Sequence, residues 1–426
     1  MSLDKKETVD ELLQFIDKSP TCFHAVENVR RRLEENGFTN AAKEQNSCSY
    51  VICNDSSLIA YKLPQGIPKG FHIMASHSDS PCFKLKTKPE ITVDEQYVKL
   101  NVEKYGGMIL STWMDRPLGI AGRVIVKEKE EFVTKLVDLG SDCCVIPNLS
   151  IHFNREINKG FEYNPQVDML PLFSGDKSSK IMDMIAEKLF LLPEQILGSD
   201  LYLYSGEKGR RVGVNGEFVL APRLDDLQCA YGALEGFLEA EPQEYISVYA
   251  LFDNEEVGSC TRQGADSDFL PGVLEDIWEK ASQKDSLLMQ QEASFRKALE
   301  NSFLLSADNA HALHPNHPEK SDVTNKPYLN GGIVLKFNGN ARYTTDGFSQ
   351  AYMQDMCNQC GLSLQTFANR SDVPGGSTLG NIVMSHLQIP AADIGLPQLA
   401  MHSAMETAGK KDVDDLIALA KYFYGM

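Results

Sequence analysis

Five short polar segments carry side chains that bind metal ions or transfer protons, and each follows an apolar stretch of the chain. In open α/β sheets the carboxyl ends of the strands lie along one edge, so segments that follow different strands can meet there. We therefore expect the five segments to form one site. They are Ser76-His77-Ser78-Asp79, Arg223-Leu224-Asp225-Asp226, Asp253-Asn254-Glu255-Glu256, Asp308-Asn309-Ala310-His311 and Met401-His402-Ser403.

The side chains in these segments meet the needs of a zinc site with two ions. Imidazole nitrogens and carboxylate oxygens are ligands that zinc accepts. Two ions need one shared carboxylate, and each ion needs one histidine and one further carboxylate. The segments supply that set and leave one glutamate to act as a general base.

Each segment on its own has a simpler structural explanation. A His-x-Asp pair is often a surface hydrogen bond, an Asp-Asp pair often caps a helix, and consecutive glutamates often form a solvated turn. The zinc hypothesis depends on all five segments occurring together in one chain.

The elements that must position these segments follow an α/β pattern with a β-rich interruption. Two helices are predicted within residues 9–37, and strands are predicted at 58–62 and 70–75. Residues 81–215 are rich in β-branched residues and short strands, with one helix predicted at 179–192. Beyond them, the predicted helices span residues 227–239, 381–387 and 412–424, and the predicted strands span 246–252, 302–307, 333–337 and 363–368.

Strands that alternate with helices predict an α/β fold with a mainly parallel sheet covered by helices. A chain of 426 residues is too long for one compact core, so we expect two domains. The first is a discontinuous catalytic domain of residues 1–80 and 216–426. The second is an inserted β-rich domain of residues 81–215.

Composition excludes several classes of partner. The chain has 41 Lys and Arg against 59 Asp and Glu, a net charge of −18 that repels phosphate backbones, so we expect no nucleic-acid partner. No apolar stretch reaches the ~20 residues that span a bilayer, so we expect no membrane partner. The ten cysteines are scattered, which favours a reducing cytoplasm. Cys357 and Cys360 are interpreted as incidental thiols on a helix, with a metal or redox pair as the alternative.

Longer stretches of the chain resemble the aspartyl aminopeptidase family of dinuclear zinc metallopeptidases. The resemblance covers nearly the whole chain, and its most specific stretches surround His77 and His402. The matching stretches are residues 15–26 (FIDKSPTCFHAV), 77–86 (HSDSPCFKLK), Ile151-His152 and 397–403 (PQLAMHS).

The resemblance implies a role for each residue of the predicted site. His77 and Asp308 would hold one zinc ion. Glu256 and His402 would hold the second, with Asp225 as the bridge between the two ions. Mn²⁺ or Co²⁺ could substitute for zinc.

Two further carboxylates are assigned by the same resemblance. Glu255 matches the general base, which takes a proton from the attacking water and passes it to the leaving amine. Asp79 would orient the imidazole of His77, as metal-bound histidines commonly require.

Three positions resemble substrate-binding residues of the family. His311 would support the substrate amine or the oxyanion, or it is an ordinary loop histidine. Lys336 would line the pocket for the first residue of the substrate, or it is a solvated lysine at a strand edge. His152 lies in the insertion, which in this family makes a dimer contact and reaches into the neighbouring active site.

The function implied by the resemblance is removal of single N-terminal residues from peptides, with a preference for Asp and Glu. The implied assembly extends from a dimer to a dodecamer. Three alternatives stay open: an aminopeptidase of neutral or broad specificity, an N-acyl amino acid deacylase on the same scaffold, and an inactive protein that kept the fold. The complete set of predicted ligands and the presence of Glu255 argue against the last of these.

Overall fold

A computed structural model describes residues 7–44, 46–283 and 294–426. None of the helices in these residues combines the length and the apolar character of a membrane span. The α-helices are α1 (Thr8–Asp17), α2 (Cys22–Glu35), α3 (Pro165–Asp168), α4 (Ile181–Leu189), α5 (Leu224–Glu239), α6 (Phe269–Gln283), α7 (Phe295–Glu300), α8 (Gly347–Cys360), α9 (Leu379–Val383) and α10 (Asp412–Tyr424).

The strands are β1 (Thr39–Asn40), β2 (Cys48–Cys53), β3 (Ser57–Lys62), β4 (Phe71–His77), β5 (Cys82–Val93), β6 (Tyr97–Tyr105), β7 (Leu118–Glu128), β8 (Glu131–Asp138), β9 (Leu172–Ser174), β10 (Ile196–Ser205), β11 (Arg210–Val212), β12 (Phe218–Ala221), β13 (Ile246–Phe252), β14 (Phe303–Ala307), β15 (Ala310–His311), β16 (Ile333–Phe337), β17 (Leu364–Ala368), β18 (Ala391–Gly395), β19 (Pro397–Leu399) and β20 (Glu406–Gly409).

The largest sheet in the described residues has nine strands in the order β1-β2-β3-β13-β4-β14-β18-β16-β17. Its central strands β13, β4, β14 and β18 run parallel to one another. Antiparallel pairs occur toward the edges, between β2 and β3, β3 and β13, and β16 and β18. The predicted α/β fold with a parallel sheet is confirmed.

Helices cover both faces of this sheet because successive strand residues point to opposite sides. On β13, Tyr249 and Leu251 pack into a core with α1, α2, α5 and α10. Val248 and Ala250 of the same strand pack into a second core with α6, α7 and α9. The continuous apolar sequence of β13 is therefore explained by burial on both faces.

A separate antiparallel sheet is formed by strands between residues 82 and 205, in the order β8-β7-β10-β5-β6-β9. Helix α4 packs on one face of it through Ile181 and Ile185. A third sheet, in the order β11-β12-β20-β19-β15, joins distant parts of the chain. Its first strand, β11, lies before the boundary expected at residue 215 and pairs with β12.

The structure corrects the predicted position of one helix. The helix predicted at residues 381–387 is α9, which spans Leu379–Val383. After Val383 the chain continues in hydrogen-bonded turns, in which Leu387 N–H still bonds to the carbonyl of Val383. Leu387 is buried in the same core as α9, so its apolar character placed it in the helix when only the sequence was considered.

Helix α5 carries Asp225 at its start, and its packing against α10 depends on a glycine. A Cβ atom at Gly236 would lie 2.8 Å from both the carbonyl oxygen of Ile417 and the backbone nitrogen of Lys421. Such distances are too short for backbone atoms that cannot move away. Gly272, the fourth residue of α6, has no heavy atom within 4 Å of its ideal Cβ position.

Substitution by alanine should therefore have opposite effects on stability at these two helical glycines. Gly236→Ala should lower the free energy of unfolding by about 1–3 kcal/mol, because the added methyl group forces α5 and α10 apart. Gly272→Ala should raise the free energy by up to about 1 kcal/mol, because alanine favours the helix. Denaturant unfolding of both variants measures this, and equal stability of the two would contradict the packing described.

Candidate metal centre

Three neighbouring strands of the large sheet deliver acidic and histidine side chains to the same place. β4 lies between β13 and β14, and all three run parallel. Their carboxyl ends therefore lie side by side. His77 is the last residue of β4, the 3₁₀ turn Glu255–Val257 follows β13, and Asp308 follows β14.

The five-stranded sheet supplies the remaining side chains from a second direction. Asp225 follows β12, and His402 follows β19. Both Asp225 and Asp226 have non-helical backbone angles at the start of α5, and their side chains are buried.

Both histidines are oriented by backbone carbonyl groups. Nδ1–H of His77 donates to the carbonyl of Asp79 at 3.1 Å, and Nδ1–H of His402 donates to the carbonyl of Gly107 at 2.6 Å. Because a carbonyl only accepts, each Nδ1 carries the proton. The Nε2 lone pair of each ring is therefore left for a metal ion.

The carboxylate of Asp225 lies between these two histidines. Its Oδ1 is 3.4 Å from Nε2 of His77, and its Oδ2 is 3.4 Å from Nε2 of His402. The same nitrogen of His402 is 3.4 Å from Oε2 of Glu256. These separations exceed those of good hydrogen bonds. They match the spacing of about 3.4 Å between two ligands of a tetrahedral zinc ion with bonds of about 2.0–2.1 Å.

The cluster contains carboxylate oxygens that need a positive partner. In the described residues, Oδ1 of Asp225, Oδ1 of Asp226 and Oε1 of Glu256 are buried without a hydrogen bond. A buried charged oxygen without a partner is costly, and a bound cation removes that cost. Three groups each hold their ligand atoms within 4.8 Å of one another: His77 with Asp225, Asp226 and Asp308; His77 with Glu255 and Glu256; and Asp225 with Glu256 and His402. The residues therefore fit zinc.

The raised pKa values of the acidic residues in the cluster also favour a site for cations. Burial raises the pKa values of Asp226, Glu256 and Asp308, and neighbouring carboxylates add to the effect. Burial and the nearby carboxylates also raise the pKa of Glu255 to about 8. Many acidic groups are thus held together against their mutual repulsion, an arrangement that cations stabilise.

Asp79 has a wider structural role than the one implied by the resemblance. Its backbone carbonyl orients His77, whereas its carboxylate Oδ1 is 3.5 Å from Nδ1 of that ring. The carboxylate accepts the backbone N–H of Glu255 through Oδ1 and that of Glu256 through Oδ2, each at 3.2 Å. Asp79 therefore positions the Glu255-Glu256 turn as well as His77.

Glu406 belongs to the site, and sequence reasoning missed it. Its Oε2 accepts the N–H of Asp225 at 3.0 Å, and its Oε1 accepts the N–H of His402 at 2.6 Å. It thus links Asp225 to His402. In the sequence, Glu406 is recognisable only as an acidic residue at the start of the short strand β20. Because the residue is buried there, its carboxylate requires a hydrogen-bond partner.

Comparison with known proteins assigns the chain to a family. A family model described as Aminopeptidase I zinc metalloprotease (M18) matches residues 15–424. A probable M18 family aminopeptidase 2 from Clostridium acetobutylicum is 44% identical over 421 residues, covering 95% of this chain and 96% of the relative. The chain belongs to the M18 family of zinc aminopeptidases. The predicted membership of the aspartyl aminopeptidase family is confirmed.

Other relatives of this M18 aminopeptidase agree with the assignment. A probable M18 family aminopeptidase 2 from Ectopseudomonas mendocina is 37% identical, covering 99% of this chain and 98% of the relative. A chain of the cryo-EM structure of the Ape4 and Nbr1 complex is 32% identical with a TM-score of 0.90, covering 97% and 85%. A chain of the S. cerevisiae mApe1 dodecamer is 28% identical with a TM-score of 0.83, covering 97% and 95%.

The three predicted substrate-binding residues lie in different surroundings. Lys336 is buried, 2% exposed, with Nζ 3.8 Å from Oδ1 of Asp308, so the alternative of a solvated strand-edge lysine is wrong. His311 lies on β15 and lines a cleft together with Phe367. His152 lies on an exposed turn between β8 and β9, where its Nδ1 is 3.1 Å from Oγ of Ser150.

Cys357 and Cys360 both lie on α8. Cys357 is buried, Cys360 is partly buried, and both are free thiols. Among the described residues, no group able to hold a metal ion includes either cysteine. The predicted placement of both cysteines on a helix is confirmed.

Removing divalent metal from this M18 aminopeptidase should destabilise it and abolish its activity reversibly. The buried carboxylates then repel one another, and a ligand at about 1,000 times its dissociation constant contributes about 4 kcal/mol to folding. Thermal unfolding before chelation, after chelation and after zinc is returned measures this. An unfolding temperature that stays unchanged in metal-free protein would contradict the metal centre.

Proposed function

We propose that this chain is an aminopeptidase that uses two zinc ions to remove single residues from peptide N-termini. The observation that carries the proposal is the position of Asp225, whose two oxygens face the Nε2 atoms of different histidines at equal distances of 3.4 Å. A carboxylate shared in this way is what two neighbouring ions require.

The ligands divide between the two positions according to these contacts. His77 and Asp308 would hold one ion, and Glu256 and His402 the other, with Asp225 between them. Zinc bound there supplies Lewis acidity, which polarises a substrate carbonyl and acidifies water.

Glu255 is the proposed general base. Its backbone is held by Asp79, and its carboxylate lies within 4.8 Å of the ligand atoms of His77 and Glu256. It accepts a proton from the attacking water and returns it to the nitrogen of the leaving amine. A carboxylate is needed for this step because a neutral amide cannot accept that proton.

Variants at the two central carboxylates test this proposal. Glu255→Gln should retain two zinc ions per chain and lose about 10²–10⁴-fold in kcat. Asp225→Ala should lose zinc from both positions, because its side chain serves both. Elemental analysis and steady-state kinetics on a chromogenic aminoacyl substrate measure the two effects. Two zinc ions retained by Asp225→Ala, or a Glu255→Gln variant of normal rate, would overturn the assignment.

The proposed substrate preference is for N-terminal Asp or Glu. An acidic side chain must leave water to enter a pocket, and an unpaired buried carboxylate is costly, so the pocket needs a positive charge. The net charge of −18 opposes long-range attraction of acidic peptides, so the attraction must be local. Lys336 is the proposed source, with His152 of a neighbouring chain as a second donor.

The Lys336→Met variant should distinguish recognition of an acidic substrate side chain from neutralisation of the Asp308 carboxylate. Loss of a charge-assisted contact costs about 1.5–3 kcal/mol, so kcat/KM for aspartyl substrates should fall about tenfold or more relative to leucyl substrates. An equal fall for both substrates would assign Lys336 to charge balance alone. Wild-type protein that cleaves leucyl substrates faster would support broad specificity, and cleavage of N-acetylated amino acids would support a deacylase.

The proposed assembly rests on the insertion. We propose residues 81–215 as an inserted dimerisation domain, with residues 1–80 and 216–426 as the catalytic domain. His152 lies between Ile151 and Phe153, which are 49% and 81% exposed, and apolar side chains so exposed favour contact with a second chain. The related mApe1 is a dodecamer, and a dodecamer is proposed here. The free thiols throughout the chain favour a cytoplasmic location.

A further inference from the structure

The end of β6 brings part of the insertion directly onto the candidate metal centre. Tyr105 is the last residue of that strand, and Gly106 and Gly107 follow it. Each of the three residues contacts a different part of the site: Tyr105 contacts Asp79, Gly106 lies against Glu256, and the carbonyl of Gly107 accepts from His402.

The hydroxyl group of Tyr105 joins the two residues that support the Glu255-Glu256 turn. It donates to Oδ2 of Asp79 at 2.6 Å and accepts from Nδ2 of Asn254 at 2.8 Å. Asn254 is the N-cap residue of that turn and has a left-handed φ of 65°. The hydroxyl therefore fixes the carboxylate below the turn and the residue at its start.

The ring of Tyr105 is itself held within the insertion. It packs edge-on against Tyr202 of β10, with ring centroids 5.7 Å apart and an interplanar angle of 83°. The position of the hydroxyl thus depends on the antiparallel sheet of the insertion, and the hydroxyl transmits that position to Asp79.

Gly106 allows this close approach. It has a φ of +75°, and a Cβ atom built on it would lie 3.1 Å from Cβ of Glu256. A side chain at this position would require Glu256, a proposed zinc ligand, to move by a few tenths of an ångström, and the positive φ would strain any residue other than glycine. Next to it, the carbonyl of Gly107 determines which nitrogen of His402 carries the proton, and the N–H of Ile109 donates to the carbonyl of His402 at 3.0 Å.

We propose that residues 105–107 are a positioning element of the metal centre, with Tyr105 as the residue that holds Asp79 and the Glu255-Glu256 turn in place. This inference rests on the proposed function, because it assumes that Glu256 binds zinc. It gives the insertion a role within its own chain, separate from any contact between subunits.

Tyr105→Phe tests the proposal, with Tyr204→Phe as its matched control. Tyr204 also donates its hydroxyl group to an aspartate, Asp138, at 2.8 Å, but that aspartate contacts none of the proposed ligands in the described residues. Full-length protein stripped of metal is titrated with zinc against a chromophoric chelator. The absorption spectrum of the cobalt-substituted protein, thermal unfolding, kcat and KM are measured alongside.

Tyr105→Phe should weaken zinc binding about tenfold or more, since residues that support metal ligands typically contribute 10–100-fold to affinity. Its cobalt spectrum should change, and kcat should fall with little change in KM. Tyr204→Phe should bind zinc like the wild type. Equal zinc affinities and equal cobalt spectra for the two variants would overturn the proposal, whereas wild-type protein that binds no zinc would overturn the metal centre as well.

A second pair of variants tests the same element without changing a hydrogen bond. Gly106→Ala places a methyl group against Glu256 and should also weaken zinc binding. Gly140→Ala, at another glycine with positive φ (+107°) and no heavy atom within 4 Å of the ideal Cβ, introduces backbone strain without a contact of the added methyl group. If Gly140→Ala lowers zinc affinity as much as Gly106→Ala does, the effect is general strain and the proposal is wrong.

Discussion

The candidate metal centre requires several buried carboxylates to lie close together. Asp225, Asp226 and Asp308 are each at most 7% exposed, and Glu256 lies close to Asp225. Like charges so close repel strongly, so the surrounding protein must compensate. It does so with Lys336 beside Asp308, with two histidines that present Nε2 to Asp225, and with a donor set that fits zinc. The need for cations is therefore part of the architecture.

The residues of the site come from two different sheets. The central parallel strands deliver His77, Asp308 and the Glu255-Glu256 turn, and the five-stranded sheet delivers Asp225 and His402. Buried carboxylates tie these parts together by accepting backbone N–H groups: Asp79 accepts from the turn, and Glu406 accepts from Asp225 and His402. Such bonds suit a metal site because they fix the main chain and leave the ligand side chains free.

Much of the fold was predictable because the periodicity of the sequence reflects burial. The apolar runs at β4, β13 and β14 are buried on both faces, which is typical of parallel central strands. The predicted end of the helix at Leu387 was wrong, because Leu387 is buried but lies beyond the end of α9. The sequence also left a solvated Lys336 open as an alternative, because nothing in the pattern of β16 distinguishes a solvated lysine from a buried one that faces an aspartate.

The sequence by itself determined the residue types of the site and the strand ends on which they lie, because polar residues after apolar runs can be read locally. It also carried the family resemblance. Only the tertiary structure decided that the oxygens of Asp225 face two different histidines, that Glu406 accepts from both Asp225 and His402, and that Tyr105 reaches Asp79 from the end of β6. Glu406 lies 181 residues from Asp225 along the chain, and Asn254 lies 149 residues from Tyr105. Contacts over such separations follow from how sheets pack, which local periodicity does not encode.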